Sequence, residues 1–170
     1  MNLLSKLYDY GLMLSQVISS IDEVYLVSSD DEIISILRDL SVRKKILVMV
    51  EPEIPAEGSQ DTDKDVVMNQ FILLQKLPDK CSTIEKLQLK DDLLNLTYDI
   101  HKQLKLDHAQ VSDYAFQFGE EENFRRELPN TDPRCFLLRF LDTKSIQKTP
   151  LDNQTPYSGW SLTFNLKYSW

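Results

Sequence analysis

The amino-acid sequence predicts an α+β fold, a mostly antiparallel sheet with a long helix packed across it and an N-terminal amphipathic helix. Three observations predict it. The stretch GWSLTFNLKYSW (159–170) puts Trp160, Leu162, Phe164, Leu166, Tyr168 and Trp170 on one parity, and Ser161, Thr163, Asn165, Lys167 and Ser169 on the other. That period of two is the pattern of a strand with one apolar face. The stretch CSTIEKLQLKDDLLNLTYDIHKQLKLDH (81–108) instead spaces its apolar residues helically over about seven turns, long enough to cross a whole sheet. Ahead of it, KKILVMVEPEI (44–54) and DVVMNQFILLQKL (65–77) are rich in β-branched and large apolar residues and read as a strand pair.

In chain order, Leu3, Leu4, Leu7, Tyr8, Gly11, Leu14, Val17, Ile18 and Ile21 recur at intervals of three and four, which predicts a helix over 2–20. Gly11 lies on its buried side. It weakens the helix by about 1 kcal/mol, which a close approach to the sheet would justify. EVYLVSS (23–29) reads as a short strand. A helix over 30–42 follows, capped by Ser29 or Asp30, with Asp31 and Glu32 at the positive end of its dipole and Ile33, Ile34, Leu37 and Leu40 as its buried stripe.

The two apolar runs are expected to pair as a hairpin. Their link, PEIPAEGSQDTDKD (52–65), holds two prolines, a glycine and several acids, so it reads as a solvated loop or an extended arm over about 51–65. Ser82 followed by Glu85 forms a capping box that starts the long helix. Ile84, Leu87, Leu93, Leu94, Tyr98, Ile100 and Leu104 supply its broad apolar surface. QVSDYAFQFGEEENF (110–124) reads as a strand through Val111, Tyr114, Phe116 and Phe118. PRCFLLRFLDTK (133–144), bounded by Asp132-Pro133, is compatible with helix or strand, and a polar loop over about 142–156 leads into the final strand.

At 170 residues, with 42% hydrophobic and 27% charged residues, the chain is expected to form a single domain over 1–170 and no membrane protein. Its net charge of −8 disfavours nucleic-acid binding, because no stripe of lysine or arginine is present to displace phosphate counterions. Lys6 and Asp9 interrupt the apolar opening, so it is expected to stay in the mature protein rather than serve as a signal peptide. Cys81 and Cys135 lack CxxC spacing. They read as small buried hydrophobes, in keeping with a reducing cytoplasm.

No motif for chemistry emerges. The glycines at 11, 58, 119 and 159 build no phosphate loop, and GxSxG, HExxH and DxDxDG are absent. His101 and His108 lie two helical turns apart, roughly 10 Å, too far to share one zinc ion, so they read as surface histidines. Asp30 and Asp31, Asp91 and Asp92, and Glu120 to Glu122 read as solvated acids. No enzyme, cofactor or metal site is expected.

The order of a leading helix, a hairpin with a long arm, a long helix across the sheet, and a closing YSGWSLTFNLKYSW strand headed by Gly159-Trp160 resembles the tail-terminator and neck or tail-completion proteins of tailed bacteriophages. The resemblance implies a homo-oligomeric ring joining head or portal complex to tail. Its partners would be neighbouring neck, portal or tail proteins. It also implies no catalysis and no cofactor, a place in the virion after assembly in the host cytoplasm, and DNA passing an acidic lumen without sequence-specific binding. On that reading the arm at 51–65 and the loop at 142–156 are interface elements. The interface residues would be Glu53, Ile54, Glu57, Asp61 and Asp63 on the arm, with Trp160, Tyr168 and Trp170 on the closing strand. The helix at 30–42 and the segment 119–156 depart from the compact family pattern. The closing strand would be held within its own sheet, against the long helix or by a neighbouring subunit. A reading from another class is a monomeric cytoplasmic adaptor that binds a peptide along a sheet edge, and a third is an enzyme with an unrecognised site.

Overall fold

The computed structural model describes residues 3–52, 65–117, 132–151 and 157–168. Along them the chain forms α1 (Leu3–Val17), β1 (Glu23–Val27), α2 (Asp30–Asp39), β2 (Lys45–Val50), β3 (Asp65–Lys76) and α3 (Thr83–Gln117). A short α4 (Pro133–Leu137) and one 3-10 turn (Leu138–Phe140) lead to β4 (Leu141–Leu151) and β5 (Tyr157–Tyr168). The strands make one sheet in the order β1-β2-β3-β5-β4. Only β1 and β2 are parallel, connected through α2, while β2–β3, β3–β5 and β4–β5 are antiparallel. The chain therefore has the expected α+β class.

Alternation along the strands sorts side chains to two faces. Leu47, Met49, Phe71, Leu73, Leu162, Phe164 and Leu166 point to one face, where Leu7, Tyr10 and Leu14 of α1 and Leu96, Ile100 and Leu104 of α3 close over them. Phe71 and Phe164 meet edge to face, their centroids 5.0 Å apart. Among the described residues the other face is covered by α2, through Leu37 and Leu40 packed on Val27, Ile46, Val48, Ile72 and Leu74.

Gly11 is where α1 comes closest to the sheet. A Cβ there would stand 2.5 Å from Met49 Cε and 2.9 Å from Val24 Cγ1. The Met49 tip can swing aside, but the branched Val24 is stiff. Gly11→Ala is therefore expected to lose about 1 kcal/mol net, as overpacking outweighs the gain in helix propensity. A lower urea midpoint at unchanged slope would show it.

Both predicted caps form. Ser82 Oγ accepts from Glu85 N at 3.2 Å, while Glu85 Oε2 accepts from Ser82 N at 2.8 Å. Ser29 accepts from Glu32 N at the start of α2. Asp132 caps α4, accepting from Arg134 N, and Pro133 occupies the first turn.

Several expectations are corrected, and one left open is settled. The strand predicted over 110–124 is helix as far as Gln117, and residues 118–131 lie outside the described region. Val111 continues the spacing of Leu104 and Asp107 on the buried side of α3, and no proline or glycine stands between Thr83 and Gln117 to stop propagation. The ambiguous run after Asp132 divides into helix, 3-10 turn and strand. The predicted loop over 142–156 is mostly β4, and only 152–156 lie outside the described residues. As an edge strand with a bulge between Asp142 and Gln147, β4 carries polar residues and Pro150, so it lacks the apolar alternation that marks an inner strand. The first two helices end earlier than predicted, at Val17 and Asp39.

Candidate interaction surface

β3 pairs with β5 over its whole length, Asp65 opposite Tyr168 through Lys76 opposite Tyr157, but with β2 only from Gln70 to Gln75. The ribbon thus overhangs the end of β2. On the face that α2 covers elsewhere, the overhang presents Val66 and Met68, and Met68 is 61% exposed. Their neighbours across the register, Lys167 and Asn165, are polar. An exposed ion pair joins Lys167 to Asp142 at 2.6 Å, and Gln70 donates to Ser161 Oγ at 2.8 Å. The result is a flat polar sheet face with a small apolar corner and no helix above it among the described residues.

The opposite side of the molecule is the outer surface of α3. Positions 84, 87, 91, 95, 98, 102 and 106 follow each other at steps of three and four, so they form one stripe. Four of them are apolar and exposed: Ile84 at 69%, Leu87 at 58%, Tyr98 and Leu106. The helix carries two apolar stripes, and only the one through Leu93, Leu96, Ile100, Leu104 and Val111 is buried. Ile84, Leu87 and Tyr98, named above in the broad apolar surface of this helix, face outward. Periodicity shows that a stripe exists, not which stripe meets the sheet.

Of the residues predicted for an interface, Trp160 is half-buried and its indole Nε1 donates to Lys90 O of α3 at 3.1 Å. Its polar atom is committed within its own chain. Tyr168 ends β5 opposite Asp65. Glu53, Ile54, Glu57, Asp61, Asp63 and Trp170, with most of the arm, lie outside the described residues. Of the three ways of holding the closing strand, the two internal ones are present: β3 and β4 flank β5 on its two edges, and Trp160 hydrogen-bonds to α3.

A polar network missed by sequence reasoning joins α1, α3 and α4. Tyr10 Oη donates to Asp107 Oδ2 at 2.9 Å, Gln103 Nε2 donates to Oδ1 at 2.9 Å, and Arg134 Nη1 lies 3.8 Å from Oδ1. Arg134 also pairs with Asp132 at 2.7 Å. Burial, then the Asp107 charge, raises the Tyr10 phenol well above its ordinary pKa. Tyr10 and Asp107 are both buried, so their hydrogen bond fastens α1 to α3. Its partners stand 97 residues apart in sequence, beyond the reach of local patterns.

The two histidines are not a surface pair. Both are half-buried and they face different elements: His108 Nδ1 contacts Leu138 O at 2.6 Å, and His101 Nδ1 contacts Lys148 Nζ of β4. No group of three or more metal-donor side chains converges among the described residues. Burial, then the charges of Lys148 and Lys105, lowers the pKa of His101 from its ordinary 6.5. The unfolded chain thus takes up this proton at higher pH than the folded one. The resulting stability is complete above the ordinary value and drains as pH falls through the folded one. Between about pH 8 and about pH 5, His101→Gln is expected to flatten the decline in urea midpoint.

A groove of about 430 Å³ runs between α2 and the sheet, lined by Ile33, Ile34, Leu37, Ile72, Leu74 and Tyr157 among others. Among the described residues its ionisable side chains are Asp30 and the Tyr157 phenol, which donates to Leu37 O at 3.0 Å. No nucleophile, base and orienting group meet there. No helix among the described residues is long and apolar enough to cross a membrane. Comparison with known proteins found no matching family model, no similar curated protein and no similar solved structure.

Proposed function

We propose that the protein is a non-catalytic structural subunit that assembles into a homo-oligomeric ring, in the neck or tail-terminator position of a tailed-bacteriophage particle. The observation that carries the assembly is a pair of unlike apolar surfaces on opposite sides of one subunit. Val66 and Met68 form one on the sheet overhang, and Ile84, Leu87 and Leu106 form the other on α3. Two different surfaces joined head to tail generate a ring when the rotation closes. The sequence resemblance supports the neck or tail position, with portal, neck or tail proteins as the adjoining layers. The net charge of −8 suits a lumen through which DNA slides without sequence-specific contact. On this reading the interface moves away from the closing strand, whose edges are already paired.

Complementation tests it. Met68→Glu and Leu87→Glu each spoil one surface, so each variant alone is expected to stay monomeric by light scattering. Mixed together, they keep one good surface of each kind and are expected to form a heterodimer and stop there. Wild-type association by both single variants, or no pairing in the mixture, counts against head-to-tail assembly. Co-purification of the wild-type ring with portal or tail proteins of the same particle then tests its position.

One observation favours the adaptor reading. β1 pairs with β2 alone, so its outer edge is open among the described residues to an added strand. A stable monomer that broadens the β1 amide resonances on adding an extended peptide would support that alternative.

A further inference from the structure

Lys148 lies on the edge strand β4, opposite Leu162, on the face that α3 crosses. It does not extend freely into solvent. Its Nζ touches His101 Nδ1 and stands 4.4 Å from the centroid of the Tyr98 ring. A lysine ammonium carries donors only, so His101 Nδ1 must be the acceptor and the proton of the neutral imidazole must sit on Nε2. That Nε2 is buried and has no partner. The imidazole therefore offers one accessible basic nitrogen, and Lys148 occupies it.

We propose that Lys148 is a site of covalent acylation, its amine taking an acyl group from a small activated donor, an acyl phosphate or an acyl thioester, with His101 as proton acceptor. The resting ammonium first gives one proton to solvent through His101 Nδ1; the free-amine nitrogen then attacks the acyl carbon, and an amide bond forms. The acyl–oxygen or acyl–sulfur bond breaks, and phosphate or thiol leaves with its electron pair. The proton of the amine passes to His101 Nδ1 and from there to solvent. A base already in contact with the nucleophile is the arrangement that activates an amine. Tyr98 and His101 together hold a side chain that is otherwise highly flexible, which shortens the search for the reactive geometry.

The electrostatics agree. Burial, then the charge of Lys105, lowers the pKa of Lys148 from its ordinary 10.5, which enlarges the free-amine fraction. Attraction between the ammonium and the ring opposes this, so reactivity reports the balance. Acylation would remove the charge that contacts Tyr98 and His101. It would also remove a lysine from a strand edge, where charge discourages unwanted pairing.

The full-length protein is treated with limiting acetyl phosphate in one arm and acetyl coenzyme A in the other, and modification is read residue by residue by peptide mass spectrometry. Lys144, exposed on the same strand, is the internal reference. In at least one arm Lys148 is expected to react at least about fivefold faster than Lys144. The responding arm identifies the donor class. In concentrated guanidinium the advantage should vanish, since it depends on the fold, and His101→Gln should reduce it in the native state. Equal rates at Lys148 and Lys144 in both arms would overturn the proposal. So would an advantage that survives denaturation, or one that a folded His101→Gln variant leaves unchanged. If that variant fails to fold, the native and denatured rates of the wild type decide.

Discussion

Asp107→Ala is expected to destabilise the fold by about 3 kcal/mol. The carboxylate is 4% exposed and accepts from the Tyr10 hydroxyl and the Gln103 amide, with the Arg134 guanidinium beside it. Removing it leaves the Tyr10 hydroxyl buried without an acceptor, and such an orphaned group carries its full desolvation penalty. Arg134 is spared the worst, because Asp132 still holds it at 2.7 Å. The effect should therefore fall below that of leaving a buried charge wholly unpaired. Tyr10→Phe removes the donor instead and leaves Asp107 with Gln103 and Arg134, so its loss should be smaller, about 1 kcal/mol. Urea unfolding followed by circular dichroism measures both. Equal losses from the two variants would mean that the network acts only through packing.

Phe71→Ala is the second large effect, an expected loss of about 3–5 kcal/mol. Phe71 is 1% exposed, stands at the centre of β3, and meets Phe164 of β5 edge to face at 5.0 Å. Its removal opens a cavity between the sheet and the helix layer of α1 and α3, and the β3–β5 ribbon, paired over its whole length, cannot collapse into it. Phe71→Leu keeps most of the volume and should lose about 1 kcal/mol or slightly more. If alanine and leucine proved alike, the central ribbon would be more plastic than its pairing implies.

The elements legible in the sequence were those whose signal is local and whose environment is one-sided. The Ser82–Glu85 box, the Ser29 cap and the alternation of Trp160, Leu162, Phe164 and Leu166 each arise within a few residues, and each appears where expected. Gly11 was legible for a different reason: its helix penalty needed a cause, and Met49 and Val24 supply one. β4 was not legible, because an edge strand solvated along one side has no reason to alternate apolar with polar residues. The end of α3 departs from the expected strand because the period of two in Tyr114, Phe116 and Phe118 follows a helical spacing that already runs through Leu104, Asp107 and Val111. The surfaces proposed for assembly were half legible. The apolar residues of α3 were identified as a group, but their division into a buried and an exposed stripe depends on which side meets the sheet. The contacts of Asp107 with Tyr10 and of His101 with Lys148 join residues far apart in sequence, so only the fold reveals them.

Copies of this chain are proposed to associate through two unlike surfaces into a closed ring. Sedimentation of the purified wild type across a range of concentrations, with negative-stain images of the heaviest species, tests it most directly. Ring assembly gives one discrete mass at a whole multiple of 19.8 kDa and annular particles with an open centre. A single species at 19.8 kDa at every concentration, with no annular particles, would contradict it.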